Sequence, residues 1–223
     1  MPWHRYFIAQ YETALRDECG YDGYQPYWDW TTHSNDISSS PLFDGSEYSL
    51  GGNGIYVPHE FVNGTVPGVP EPQYVARPPG TGGGCVTDGP FANITLNIAP
   101  VFPYGSPNST GYEYQPHCLQ RDFLQPLSDN FLTKEKVDSL LSAPTIAEFR
   151  KILDDGTHFA GHSTVGGDMS DIFTSPQDPA FYFHHAQIDR LWTIWQAADP
   201  ASRTYAVSDT VTYANSKQCY YVF

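Results

Sequence analysis

A mainly α-helical fold carrying one long irregular excursion is predicted by three features of this 223-residue chain. Apolar residues recur at helical spacing near the start, over residues 3–18, and again over residues 179–198. From Thr31 to about Gln120 the chain has little periodicity and holds most of the glycine and proline, including Pro78 to Gly84. Five Trp, sixteen Tyr and thirteen Phe residues supply the apolar surface for a core, which argues against disorder. A single domain over 1–223 is expected, with 199–223 an off-pattern tail whose end looks cut.

Each element has a local reason. In residues 3–18, Phe7, Ile8, Tyr11, Ala14 and Leu15 share a helical face, Pro2 suits the first turn and Gly20 is a stop signal. Glu12 and Arg16 form an i,i+4 pair. The segment Pro26 to Trp30 (PYWDW) is an aromatic turn. Within the irregular region, which needs disulfides, glycans or a helical support to be tolerated, Ile94 to Ile98 reads as a short strand. Lys134–Leu141 and Ile146–Leu153 read as helices. The stretch around His158 to His162 is another, weakened by Gly156 and Gly161. The clearest is Pro179–Ala198, with Asp178 as N-cap and Pro179 at its first position.

Composition excludes two classes of partner. Twenty-five acidic against eleven basic residues give a net charge of −14, which opposes nucleic acid. No apolar run approaches the ~20 residues needed to span a bilayer, so no membrane partner is expected. Cys19, Cys85, Cys118 and Cys219 allow three disulfide connectivities. Sequons begin at Asn63, Asn93 and Asn108. Together with few lysines these features point to a secreted, extracellular glycoprotein, although the first residues do not read as a signal peptide.

The histidines carry the chemistry. His158 and His162, at i,i+4, place two imidazoles on one helical face, a spacing that suits one metal ion. His184 and His185 are about 100° apart on a helix. The stripe Phe181, Ile188, Trp192 and Trp195 puts His185 toward the core and His184 to one side. His4 shares a face with Ile8, Tyr11 and Leu15. A histidine on an apolar face is commonly a core residue with a hydrogen-bond partner, but three segments aiming neutral imidazole at one core favour a transition-metal site. His33, His59 and His117 lie in irregular chain and are not expected to be ligands.

The segments Trp3-His4-Arg5-Tyr6-Phe7-Ile8 with Glu12, His158-Phe159-Ala160-Gly161-His162, and Asp178 through Trp192 together resemble the type-3 copper family of tyrosinases, catechol oxidases and molluscan haemocyanins. PYWDW and the Cys85 to Cys118 region look most like the short secreted tyrosinase-like proteins of filamentous fungi.

The resemblance implies an antiparallel four-helix bundle with long loops that holds two copper ions, each on three histidines. It also implies an oxidase that converts o-diphenols to o-quinones with dioxygen, some members hydroxylating monophenols as well. By motif, His4 is the third ligand of the first copper, and His158, His162 and His185 are the ligands of the second. Two further ligands of the first copper are expected upstream of Met1, so the chain as written has one complete copper site and is incomplete at its N-terminus. Phe181, Phe183, Trp192 and Trp195 form an apolar shell. Asp189, one turn beyond His185, either orients an imidazole or pairs with a base. Gly166 and Met169 belong to a loop that resembles the family's substrate entrance; a plain helix C-cap and turn is the other reading. Phe159 stands where the family places an asparagine linked to monophenol deprotonation, while Ser163 is small enough to admit a phenol. Glu148 is either a base or a solvated helix carboxylate. The dioxygen and phenolic-substrate reading competes with a non-catalytic metal-binding relative, a three-histidine zinc site, and an oxygen carrier.

Overall fold

Pro2 opens the first helix, α1 (Pro2–Cys19), and Gly20 closes it, with the Gly20 and Tyr21 N–H groups returning to Arg16 and Leu15 carbonyls. These positions come from a computed structural model, which describes residues 1–60, 62–65, 74–101 and 111–208. The sequon at Asn108 and residues 209–223, including Cys219, lie outside the described residues.

The mainly helical class is what the structure shows. After the excursion come α2 (Gln125–Phe131), α3 (Lys134–Leu141) and α4 (Ile146–Ile152). Thr133 and Thr145 cap α3 and α4 through their side-chain oxygens, accepting from Lys136 and Glu148 N–H groups. A π-helical turn, Leu153–His158, follows and passes straight into α5 (Phe159–Val165). The long helix α6 (Ala180–Ala198) and the short α7 (Pro200–Arg203) come next. Asp178 caps α6 as expected, its Oδ1 accepting from Ala180 N–H at 2.8 Å.

The core lies where α6 meets the rest. Trp195 packs on Phe149 of α4 and donates to the Ala143 carbonyl at 2.7 Å. Leu140, Leu153, Leu191, Val165 and Met169 fill the space around them. α1 is fastened to α6 by Arg5, which donates to Asp189, Gln196 and Thr193 and lies 3.9 Å over the Trp192 ring.

Among the described residues the excursion contains three two-stranded antiparallel ribbons. They pair β1 (Gly54–Tyr56) with β4 (Gly83–Val86), β2 (Val62–Thr65) with β3 (Tyr74–Arg77), and β5 (Thr95–Ile98) with β6 (Tyr114–Cys118). A Cys85–Cys118 disulfide joins β4 to β6. Cys19 forms no disulfide among the described residues. Asn93 is exposed.

Two histidines pin the excursion, one to the segment before α2 and one to the turn after α5. His59 donates through both ring nitrogens, to the Val57 carbonyl at 2.6 Å and to Asp122 at 2.9 Å. His117 repeats the arrangement with the Gln115 carbonyl at 2.8 Å and Asp168 at 3.0 Å. Acceptors on both sides favour the protonated form of each ring, and both pKa values are raised. In His59 the Val57 carbonyl is the chief cause. In His117 burial pulls downward, and the Gln115 carbonyl together with Asp168 overcomes it. Arg121 and Asp178 make a bidentate pair, at 2.9 and 2.8 Å, with both side chains 0% exposed. This pair ties the excursion to the start of α6.

Candidate metal centre

His158, His162, His184 and His185 each offer a nitrogen within 4.8 Å of the others. Two elements bring them together. His158 ends the π turn and His162 sits one α-turn later on α5, so both rings face α6. His184 and His185 come from the first turns of α6. The i,i+4 spacing therefore does what it predicts, setting the His158 and His162 rings 5.1 Å apart.

The hydrogen bonds determine which nitrogens are available. The Nδ1–H of His162 donates to the Met169 carbonyl at 2.8 Å, so its Nε2 carries the lone pair. That Nε2 lies 3.1 Å from Nε2 of His185, whose Nδ1 is buried without a partner. Either tautomer of His185 leaves one nitrogen unsatisfied. Two facing lone pairs repel, whereas a His185 Nε2–H directed at His162 strands Nδ1. A cation between the two Nε2 atoms satisfies both rings, and neutral imidazole is a donor that suits copper or zinc. Burial keeps these rings neutral, lowering the pKa of His162 to about 3 and that of His185 well below its ordinary value. The Nδ1–H of His158 donates to Asp154 at 3.3 Å, an arrangement that orients its Nε2 inward.

His4 approaches the cluster without joining it. Its ring stacks on His185 at 4.2 Å between centroids and 18° between planes, and stands 6.5 Å from His158. Burial, with the nearby His158, lowers its pKa to about 4.

Of the two roles expected for Asp189, the structure shows the ion pair: its carboxylate accepts from Arg5, because that face of α6 lies against α1. Asp154 makes the carboxylate–imidazole bond instead, four residues before His158, and that i,i+4 spacing is visible in the sequence. Other expectations need correction. Of the expected apolar shell only Phe181 reaches the rings, 4.1 Å from His185 and 5.9 Å from His162. Trp195 packs on Phe149, and Trp192 lies beneath Arg5. His184 is fully buried rather than turned aside, because α6 is enclosed on a second face by Trp28 and Trp30. Glu148 stands at the capped N-terminus of α4 and accepts from the Thr145 hydroxyl at 3.4 Å, away from the histidines.

Phe159 is 42% exposed beside His158, and Ser163 is buried on α5. Gly166 follows α5 at a φ of +71°, and Met169 is buried with its carbonyl turned to His162.

A sequence profile for the "Common central domain of tyrosinase" matches residues 1–198. The chain is 44% identical over 228 residues to "Oxidase hkm6" of Aspergillus hancockii, covering 96% of this chain and 78% of that protein. It is 44% identical over 230 residues to "Tyrosinase-like protein orsC" of Emericella nidulans, covering 96% of this chain and 62% of that protein. Its fold matches that of a mutant polyphenol oxidase from Thermothelomyces thermophila with a TM-score of 0.79 and 45% identity, over 89% of this chain and 56% of that one. The chain thus spans little more than half the length of the polyphenol oxidase. Among the described residues no helix is long and apolar enough to cross a membrane. A match of this extent, on a chain whose helices gather four imidazoles, means that the protein belongs to the tyrosinase family.

Proposed function

We propose that residues 1–223 form one copper-binding domain of an oxidase that converts o-diphenols to o-quinones with dioxygen. In this reading His158, His162 and His185 hold one copper, and His4 presents an imidazole at the edge of the site. The observation that carries it is the 3.1 Å approach of two neutral, buried Nε2 atoms, which no hydrogen-bonding pattern satisfies on both rings. Copper, when bound, supplies the one-electron chemistry with oxygen that the side chains lack.

The protein's own residues prepare the place. Asp154 and the Met169 carbonyl hold the Nδ1–H groups of His158 and His162, so each ring keeps its Nε2 lone pair turned inward. Phe181 lies against His185 and His162 and keeps water from that side. Phe159, exposed next to His158, offers an apolar surface to a phenol ring and no group that takes its proton. That absence favours catechols over monophenols. The Cys85–Cys118 disulfide and the exposed sequon at Asn93 support a secreted protein.

Copper analysis of the purified full chain after dialysis tests the metal reading. About one ion per chain is expected, from one complete set of three imidazoles. Binding near two per chain, or none, overturns it. Oxygen uptake with a catechol, in copper-loaded wild type against His185→Gln, tests the oxidase reading, and equal rates would refute it.

A further inference from the structure

His184 is the member of the histidine cluster with no nitrogen to spare. Its Nδ1 accepts from the Trp30 indole N–H at 3.2 Å, and its Nε2–H donates to the His158 carbonyl at 3.1 Å. A donor on one side and an acceptor on the other fix a single neutral tautomer. Adding a proton would set Nδ1–H against the indole N–H, and binding a metal at either nitrogen would break one of the two bonds. Both side chains are essentially inaccessible, so a broken partner would find no water in exchange.

The bond to His158 lands at a sensitive point. His158 stands at the join between the π turn and α5, and its carbonyl is fixed from outside the helix by His184. The α5 backbone lies directly on the ring: a Cβ at Gly161 would run into the His184 imidazole. The His162 ring meets His184 edge-on at 4.7 Å, and the His158 ring lies parallel to it at 5.7 Å. On the far side, Trp30 is placed by a 3₁₀ turn that Asp29 opens, accepting from Thr31 N–H. Two residues earlier, Trp28 N–H donates to the Phe183 carbonyl at 3.0 Å, so the same segment grips α6 beside His184.

We propose that His184 is a positioning residue rather than a metal donor, a strut through which Trp30 holds the His158 carbonyl and thereby sets the two α5 imidazoles against His185. The role rests on the reading of His158, His162 and His185 as the metal donors. It also gives the PYWDW segment a task in the site.

Two measurements test it on the full chain. Long-range ¹H–¹⁵N NMR of the metal-free protein should show His184 with its proton on Nε2 and the Trp30 indole N–H protected from exchange. A proton on Nδ1, or a freely exchanging indole, overturns the strut without reference to metal. Co(II) titration followed by visible absorption gives the second readout. His184→Leu and Trp30→Phe should each weaken Co(II) binding by about ten- to a hundredfold, the range for residues that orient ligands. His184→Gln, whose amide can both accept and donate, should restore near wild-type affinity and an unchanged spectrum. His185→Gln should lose the spectrum. If His184→Gln behaves like His185→Gln, His184 is a donor, and if Trp30→Phe binds like wild type, there is no strut. Failure of the wild type to take up Co(II) would instead sink the metal reading itself, and the strut's purpose with it.

Discussion

Gly166 shows how tightly single residues are constrained around the site. Its φ of +71° disfavours any side chain, and a Cβ there would strike the Arg77 guanidinium and the Asp122 carbonyl. Its N–H also returns to the His162 carbonyl at 3.0 Å. Gly166→Ala is expected to cost about 1–3 kcal/mol in urea unfolding; a loss too small to measure would mean that the turn relaxes freely. Phe159 gives a second prediction at this scale. Phe159→Asn should raise turnover of a monophenol relative to its matching catechol, read from initial rates with ascorbate present, and an unchanged ratio would remove Phe159 from the selectivity argument. Placement that depends on spacing along one helix was legible: His158 and His162 share a face, and the apolar stripe carries His185 into the core. The sequence concealed the residues whose partners come from elsewhere. Nothing near Asp189 in the chain announces Arg5, and nothing near His184 announces Trp30.

The same division holds for elements. Helices α1, α3, α4 and α6 were legible because capping residues and 3.6-residue periodicity are local signals. The excursion was not, because its order comes from contacts across long separations. Cys85 and Cys118 are 33 residues apart, and His59 meets an aspartate 63 residues away. The disulfide closes a loop of that size, for which the chain-entropy relation gives about 3–4 kcal/mol of stabilisation. Replacing both cysteines by serine should lower the unfolding free energy by that order, as measured by denaturant titration under non-reducing conditions. A variant as stable as wild type would show that strand pairing and the His117 contact alone hold β4 and β6 in place.

At the scale of the whole molecule, two sets of histidines tilt stability in opposite directions with pH. His4, His162, His184 and His185 have pKa values lowered chiefly by burial. Below about pH 6.5, the ordinary histidine value, the unfolded chain takes up protons there that the folded one refuses, so acidification destabilises. His59 and His117 have raised pKa values. Their contribution is complete below about pH 6.5 and is lost as pH rises through their folded values. The metal-free protein should therefore be most stable near about pH 6.5. Melting temperatures across a pH series should trace this maximum. In His59→Gln and His117→Gln the decline on the alkaline side should flatten while the acid side stays unchanged; a curve still climbing into the alkaline range would contradict the assignment.

Arg121 and Asp178 add a constraint on how the molecule assembles. Neither charge can leave water alone, since an unpaired buried ion costs several kcal/mol. The excursion that carries Arg121 and the helix that Asp178 caps must therefore dock in one event. A state with α6 packed and the excursion open would have to keep the first turn of α6 wet, and His184 and His185 follow directly in the next turn. Loop and bundle form a single cooperative unit, so far-ultraviolet circular dichroism and tryptophan fluorescence should report one coincident transition. The imidazole cluster can then come into being only together with the loop that surrounds it.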